Sequence, residues 1–351
     1  MRGAHVERVL KKLEKGHLVI LVDQQGHGKL ISLVNKVTAE DINFMVTNAR
    51  GLVSVGIKPE RAKELDIILQ QNCNSDEFTP AFAVSVDVEG TTTGISSFER
   101  HETIKALIDD DRKPSDFKRP GHIFPVISHN EGIFGKQSHV EAGIELAIMN
   151  SSYPAIVMCD VLNKDGEIAS SEELKAFSEL YQLELLTIDE LLKYCLDHKS
   201  IVENGDYSPF KSRMGELDSM LVTNRIDQKV DYVLTNRNLQ SKKVTPVYIH
   251  KQCHCPLRLC DCQIDLEKSI LKAKEFGGLC ICLQDRSDHS LLNVRDYDGN
   301  TYFVLKILEK LGVKEFRLMN EFNLNSEMIG ASCLQIFEKD PDYRIVREKV
   351  V

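Results

Sequence analysis

The chain has 351 residues and a formal net charge of -9. This length is sufficient for two compact domains, each with its own core. The acidic balance argues against nonspecific binding of nucleic acid, which requires a basic face. Apolar runs such as residues 18–22 are too short to span a bilayer, and the N-terminus lacks the apolar segment of a signal peptide. We expect a soluble, cytoplasmic protein.

The first half alternates helix and strand signals. Apolar residues at helical spacing predict a helix over residues 5–15. Apolar or alternating runs predict strands at 18–22, 51–56, 81–87, 153–162 and 183–186. Helix starts are predicted where a hydroxyl residue precedes an acidic residue by three positions, at Thr38, Ser170 and Thr187. This order predicts an α/β or α+β layered domain that ends near residue 200.

The second half begins with a segment rich in turn residues, which predicts a linker at 204–212 between domains 1–203 and 213–351. Strands are predicted at 230–235, 244–250, 278–283 and 315–319. Helices are predicted at 266–275 and 302–311. The second domain is therefore a smaller α/β domain.

Candidate chemistry is concentrated between residues 119 and 160. His122, His139 and Asp160 follow one another along this stretch, and the loop before His139 carries Lys136. Two imidazoles, a carboxylate at a strand end and a basic loop can act together on one small anionic substrate. We predict that they form the active site.

Two glycine-bearing loops are candidate ligand contacts. The loop 23–29 matches no dinucleotide or nucleotide fingerprint, and an ordinary flexible turn is the alternative. The loop 90–96, which contains Thr93, precedes a helix that carries Arg100. Free backbone N–H groups at a helix start can bind phosphate, and a capped turn without a ligand is the alternative.

Ten cysteines are present, and six of them lie between Cys253 and Cys282. This clustering favours metal binding over disulfides.

Several motifs, in colinear order over residues 5–200, resemble 3,4-dihydroxy-2-butanone 4-phosphate synthase of riboflavin biosynthesis. The motifs lie at residues 42–45, 49–52, 92–96 with Arg100, 113–125, 139–142 and 163–166. The resemblance implies a homodimer that converts ribulose 5-phosphate to dihydroxybutanone phosphate and formate with Mg²⁺ or Mn²⁺.

The resemblance also implies roles for individual residues. His139 matches a metal-ligand histidine, and His122 matches a second essential histidine. Asp160 occupies the position of a catalytic glutamate, with a side chain one methylene shorter. Lys136 stands at the position of an arginine that binds the substrate phosphate. Arg100, Arg119 and Thr93 complete the expected phosphate contacts.

The loop 23–29 departs from the family pattern. An acidic loop that ligates magnesium is expected there, whereas this loop is about three residues shorter and contains no glutamate. Magnesium prefers hard oxygen ligands, so the expected ion loses its main support. His27 with His139 and Asp160 could bind a softer ion such as zinc or manganese. The alternative is that His27 is a solvated loop residue.

The second half resembles a shortened GTP cyclohydrolase II domain. Cys253, Cys260 and Cys262 match the zinc ligands of that family in order, and Cys255 offers a fourth thiolate that would make the zinc structural. Reduced cysteines without metal are the alternative. The loop for base recognition is out of register, so we do not expect GTP hydrolysis.

Two functional hypotheses follow. The first is a lyase of the synthase type, slow or altered in substrate, or recruited to another sugar-phosphate reaction. The second is a non-catalytic paralogue that binds a sugar phosphate, a metal or a partner protein.

Overall fold

A computed structural model describes residues 3–70, 80–213, 215–225, 228–235, 244–251, 262–284, 293–294, 297–313, 315–319 and 344–345. The chain divides into two compact units, Met1–His198 and Lys199–Val351. In the described part of the chain, no helix is both long and apolar enough to cross a membrane.

The first unit is built on a mixed seven-stranded sheet in the order β4-β5-β3-β6-β2-β1-β7. Its strands are β1 (Val19–Val22), β2 (Gly28–Leu33), β3 (Arg50–Ile57), β4 (Val86–Val88), β5 (Phe117–Ile127), β6 (Ile156–Val161) and β7 (Glu184–Thr187). Its α-helices are α1 (Gly3–Glu14), α2 (Ala39–Phe44), α3 (Pro59–Glu64), α4 (Ser97–Leu107), α5 (His139–Met149), α6 (Ser171–Tyr181) and α7 (Ile188–His198). This mixed sheet with covering helices confirms the predicted fold class.

Local sequence signals explain where the helices begin. Thr38 and Ser170 form capping boxes at the starts of α2 and α6. Each hydroxyl accepts a bond from a backbone N–H that the first turn leaves free. The Thr187 hydroxyl and Glu190 exchange the same pair of bonds at the start of α7. All three predicted helix starts are confirmed.

The two faces of the first sheet are packed differently. Val53, Ile123 and Cys159 belong to one buried apolar cluster, so they share a face. The opposite face of β6 lies against α5, where a Cβ on Gly143 would meet Ile156 at 2.8 Å. Glycine therefore allows α5 to approach this face closely.

The strand β5 was not predicted, although its 11 residues make it long. Gly121 and three basic residues near its start disguise the pattern. The predicted strand 81–87 is shorter than expected: β4 covers Val86–Val88, and isolated bridges involve Phe82 and Ala83.

The second unit contains a sheet in the order β16-β15-β11-β12-β10-β9-β8. Its strands are β8 (Val202–Ser212), β9 (Gly215–Asn224), β10 (Val230–Thr235), β11 (Thr245–Lys251), β12 (Leu279–Leu283), β15 (Glu315–Leu318) and β16 (Arg344–Ile345), and β13 (Asn293–Val294) pairs separately with β14 (Tyr297–Asp298). Its helices are α8 (Cys262–Phe276) and α9 (Gly299–Lys310).

The prediction of a linker at 204–212 is wrong. These residues lie in β8, which pairs antiparallel with β9 from Val202↔Asn224 to Ser212↔Gly215. Pro209 removes one backbone donor, but β8 is at the sheet edge and needs partners on one side only. The boundary between the compact units falls earlier, between His198 and Lys199.

Candidate functional site

Two of the predicted site residues, His122 and Asp160, lie on the face of the first sheet that α5 covers. Ile123 and Cys159 point into the apolar cluster, so their neighbours His122 and Asp160 point to the opposite face. Ser54 of β3 pairs with Phe124 on one side and Met158 on the other. His122 and Asp160 are each two residues beyond these partners. They therefore lie in one row at this end of the sheet, two strands apart, and the β3–β6 register has an irregularity between Arg50 and Val53, beside Asp160.

Lys29 extends this row onto the next strand. Its Cα pairs with that of Asp160, and its Nζ donates to Asp160 Oδ1. The two side chains are 17% and 30% exposed, so the ion pair is largely removed from solvent. Lys29 was not predicted as a site residue, because no local signal shows which residue it faces across the sheet.

His139 is the first residue of α5, and it contacts the loop between β1 and β2. Its Nε2 is 3.1 Å from the carbonyl oxygen of His27, so Nε2 carries the proton and donates it. Its Nδ1 is 3.9 Å from Asp23 Oδ2. Burial, and then the charge of Lys29, lower the pKa of His139 from 6.5 to about 4. His139 is therefore neutral at pH 7.

The carboxylate of Asp23 organises the loop between β1 and β2. Its Oδ1 accepts bonds of 2.9 Å from the backbone N–H groups of Gln25 and His27. Its Oδ2 lies 3.6 Å from His27 Nδ1. The loop is thus a turn built on its own acidic residue.

His122 is held by a residue that sequence reasoning missed. Asp87 of β4 is buried, and its Oδ2 is 2.7 Å from His122 Nδ1 while its Oδ1 accepts the His122 backbone N–H at 2.8 Å. A carboxylate can only accept, so Nδ1 donates and Nε2 keeps its lone pair. This arrangement prepares His122 Nε2 to accept a proton. An acidic residue in an otherwise apolar strand was the available signal.

The loop before α4 is closed by Glu99. The carboxylate of Glu99 accepts bonds from Thr92, from the Thr93 hydroxyl at 3.3 Å and from Gly94 N–H at 3.1 Å. These bonds, led by those from Thr92, lower the pKa of Glu99 to about 2. The predicted phosphate contact of Thr93 is therefore occupied by a carboxylate of the chain itself.

The three predicted basic contacts differ in their environment. Arg119 donates to the carbonyl oxygens of Leu65, Pro114 and Phe117 at 2.7 to 3.0 Å, which makes it a structural residue and does not fit its predicted phosphate role. Arg100 lies on α4, and its buried Nε has no hydrogen-bond partner among the described atoms. Lys136 lies in the loop that leads into α5, where its backbone N–H donates to Gly132.

The donor set does not fit magnesium. Mg²⁺ requires near-octahedral oxygen ligands. Asp160 is paired with Lys29, Asp23 is bonded within its loop, and no cluster of three His, Cys, Asp or Glu side chains able to hold a metal occurs among the described residues. His139, the expected ligand to a divalent ion alone or with His27, has Asp23 Oδ2 at 3.9 Å from its Nδ1, and the other oxygen of that carboxylate is engaged by its own loop.

The predicted zinc ligands Cys253, Cys255 and Cys260 lie outside the described residues, as does the side chain of Cys262, the first residue of α8. Zinc binding there stays a prediction.

The first unit is thus an α/β domain whose sheet carries two paired sets of ionisable side chains, His122 with Asp87 and Lys29 with Asp160. The family model of 3,4-dihydroxy-2-butanone 4-phosphate synthase matches residues 7–194. The chain belongs to this family, whose named relatives are proteins of riboflavin biosynthesis.

Relatives match both halves of the chain. The riboflavin biosynthesis protein RibBA of Staphylococcus aureus (strain MSSA476) is 33% identical over 311 residues, which cover 85% of this chain and 78% of the relative. RibBA of Aquifex aeolicus (strain VF5) is 32% identical over 324 residues, or 88% and 80% of the two chains.

Two solved structures are similar. One is RibBX of A. baumannii, a two-domain 3,4-dihydroxy-2-butanone 4-phosphate synthase, with a TM-score of 0.71, 28% identity and coverage of 93% of this chain and 96% of that chain. The other is a 3,4-dihydroxy-2-butanone 4-phosphate synthase in complex with two magnesium ions, with a TM-score of 0.52, 29% identity and coverage of 55% and 97%.

Proposed function

We propose that this chain is a lyase that converts ribulose 5-phosphate to 3,4-dihydroxy-2-butanone 4-phosphate and formate. The observation that supports this most is the row of His122 and Asp160 on one face of the sheet, with each side chain held by a charged partner. The two strands that carry them are separated by β3, so their backbones are about 10 Å apart. A pentulose phosphate fits between groups at this spacing.

In this proposal, proton transfer is divided between two groups. His122 Nε2 removes a proton from the carbon skeleton to start enolisation, and Asp87 stabilises the resulting imidazolium. Asp160 lies at the other end of the row and orients the hydroxyl groups of the substrate. The carbon shift and the loss of C4 follow, and formate carries away one carbon, two hydrogens and two oxygens. The net reaction requires no oxidant and no additional water.

No metal step is included in this proposal. The solved relative holds two magnesium ions, but here the carboxylate of Asp160 is engaged by Lys29 and that of Asp23 by its own loop. Phosphate attraction is assigned to Lys136 and Arg100, without Arg119 and Thr93, whose polar groups contact other residues of the chain.

The test is a formate assay on the purified chain with ribulose 5-phosphate, in the presence of Mg²⁺, Mn²⁺, Zn²⁺ or EDTA. We expect formate and dihydroxybutanone phosphate in equal amounts from the wild type, and neither from His122→Asn. His17→Asn, an exposed histidine outside the site, is the matched control. Absence of formate under every condition would refute the proposal.

A specific observation favours the second candidate, a non-catalytic binding protein. The carboxylate of Glu99 occupies the donors of the loop before α4, where a substrate phosphate was expected. In that case ribulose 5-phosphate binds in calorimetry but releases no formate, and Glu99→Gln tightens its binding.

We further propose that the second unit does not hydrolyse GTP and that the chain forms a homodimer. RibBX, described as a two-domain synthase, aligns with 93% of this chain, which supports a second domain without a second activity. Incubation with GTP and Zn²⁺ should release no formate, and light scattering should give about twice the chain mass of 39.7 kDa.

A further inference from the structure

The Lys29 ammonium forms an ion pair with the carboxylate of Asp160. Lys29 lies on β2, directly across from Asp160 on β6, and its Nζ donates to Asp160 Oδ1. Only 17% of the Lys29 side chain is exposed. The ammonium is therefore held in place within the site, unlike that of a solvent-exposed lysine.

The Lys29 ammonium neutralises the carboxylate of Asp160 without an ion. The charges of Lys29, Asp23 and Asp160 all act on His139 at the start of α5. His139 is neutral and donates to the carbonyl of His27. A divalent cation on Asp160 would lie next to the ammonium and repel it, so the two cations compete for the same carboxylate.

We propose that the Lys29 ammonium supplies from within the chain the positive charge that divalent ions would otherwise bring to this site. Lysine carries three N–H donors. One is used by Asp160, which leaves donors for the carbonyl oxygen of a bound ketose. A similar synthase has been solved in complex with two magnesium ions. In this chain, the positive charge beside Asp160 belongs to the side chain of Lys29.

The ammonium would act during enolisation, and this part of the inference rests on the proposed function. When His122 Nε2 takes a proton from the carbon next to the carbonyl, a carbon–carbon double bond forms and the carbonyl electron pair moves to oxygen. The N–H groups of Lys29 stabilise this developing oxyanion. Lys29 is thus assigned a role in catalysis without a metal.

The experiment measures Mn²⁺ binding by electron paramagnetic resonance on the full chain, without substrate. We expect weak binding to the wild type and binding at least about tenfold tighter to Lys29→Asp, because the substitution removes a repelling charge and adds an oxygen ligand. Lys36→Asp is the matched control: it makes the same charge change on an exposed lysine after the other end of β2, and its Mn²⁺ affinity should resemble that of the wild type.

Lys29→Gln should bind Mn²⁺ more tightly than the wild type and more weakly than Lys29→Asp, and it provides a second variant if Lys29→Asp does not fold.

Two results would overturn the proposal: tight Mn²⁺ binding by the wild type, or no gain in either Lys29 variant that folds. This readout is independent of turnover. If the wild type and all variants release no formate, the proposed lyase activity fails while the Mn²⁺ titration still decides the role of Lys29. If the wild type releases formate in EDTA, Lys29→Gln should lose that activity and Lys36→Gln should keep it.

Discussion

Asp87 determines how His122 can react. Its carboxylate accepts hydrogen bonds from both the ring Nδ1–H and the backbone N–H of His122. The other side of the carboxylate lies against Gly94, where a Cβ would clash with Oδ2. Nothing in the loop or strand patterns links residues 87 and 122, since the contact arises only when β4 pairs with β5. The histidine could be predicted from the sequence, but the group that sets its tautomer could not.

Replacing Asp87 with Asn should lower kcat for formate release by roughly a hundredfold or more, because the imidazolium loses its counter-charge and the ring can take the wrong tautomer. Nitrogen NMR of His122 should show mixed tautomers in this variant. Asp111→Asn, at an exposed turn, is the control. Unchanged kcat in Asp87→Asn would remove His122 from the mechanism.

His139 should make the stability of the first unit depend on pH. Its folded-state pKa of about 4 lies below the ordinary value of 6.5, chiefly because the side chain is buried. As pH falls through 6.5 the unfolded chain takes up a proton and the folded chain does not, so stability present above pH 6.5 is lost between about 6.5 and 4.

Urea unfolding at a series of pH values tests this. His139→Gln should flatten the loss of stability over that interval, whereas His17→Gln should leave it unchanged because His17 is exposed. Equal pH slopes for the wild type and His139→Gln would show that another group is responsible.

Among the elements, α5 connects the packing of the first sheet to the site. It begins at His139, its N-cap Ser138 accepts from Val140 N–H, and Gly143 lies against Ile156 of β6. The apolar periodicity of this helix was readable from the sequence. The distance between α5 and the sheet was not readable, because it depends on the contact of Gly143 with Ile156 of β6.

Gly143→Ala should lower the free energy of unfolding by about 1–3 kcal/mol, since the new methyl group would meet two Ile156 carbons at 2.8 and 2.9 Å. The better helix propensity of alanine offsets part of this loss. Gly3→Ala in α1 is the control, because its nearest neighbour would be 3.4 Å away, an ordinary contact. A variant as stable as the wild type would show that α5 can move away from β6 at little cost.

The edge hairpin of β8 and β9 shows where turn signals mislead. Asn204, Gly205 and Pro209 are typical of a linker, yet β8 pairs with β9 along its length, with one irregularity between Asn204 and Tyr207. An edge strand tolerates such residues because one side makes no ladder bonds. Tertiary pairing, which is nonlocal, decided this element.

For the whole molecule, the fold class, three helix starts and the family were readable from the sequence, because capping boxes and colinear motifs are local features. The ion-pair partners within the site could not be predicted from the sequence. Asp160 was predicted as a catalytic carboxylate, but its partner Lys29, 131 residues away in the chain, was not predicted. Arg119 and Thr93 carry suitable chemistry, but their bonds are made within the protein.

The most direct measurement follows the carbon that the lyase removes. Ribulose 5-phosphate labelled with ¹³C at C4 is incubated with the full chain in EDTA, and the products are observed by NMR. We expect the label to appear in formate, at a rate that added Mg²⁺ does not increase. The absence of labelled formate, or its appearance only after Mg²⁺ is added, would contradict a metal-free lyase built on His122, Asp160 and Lys29.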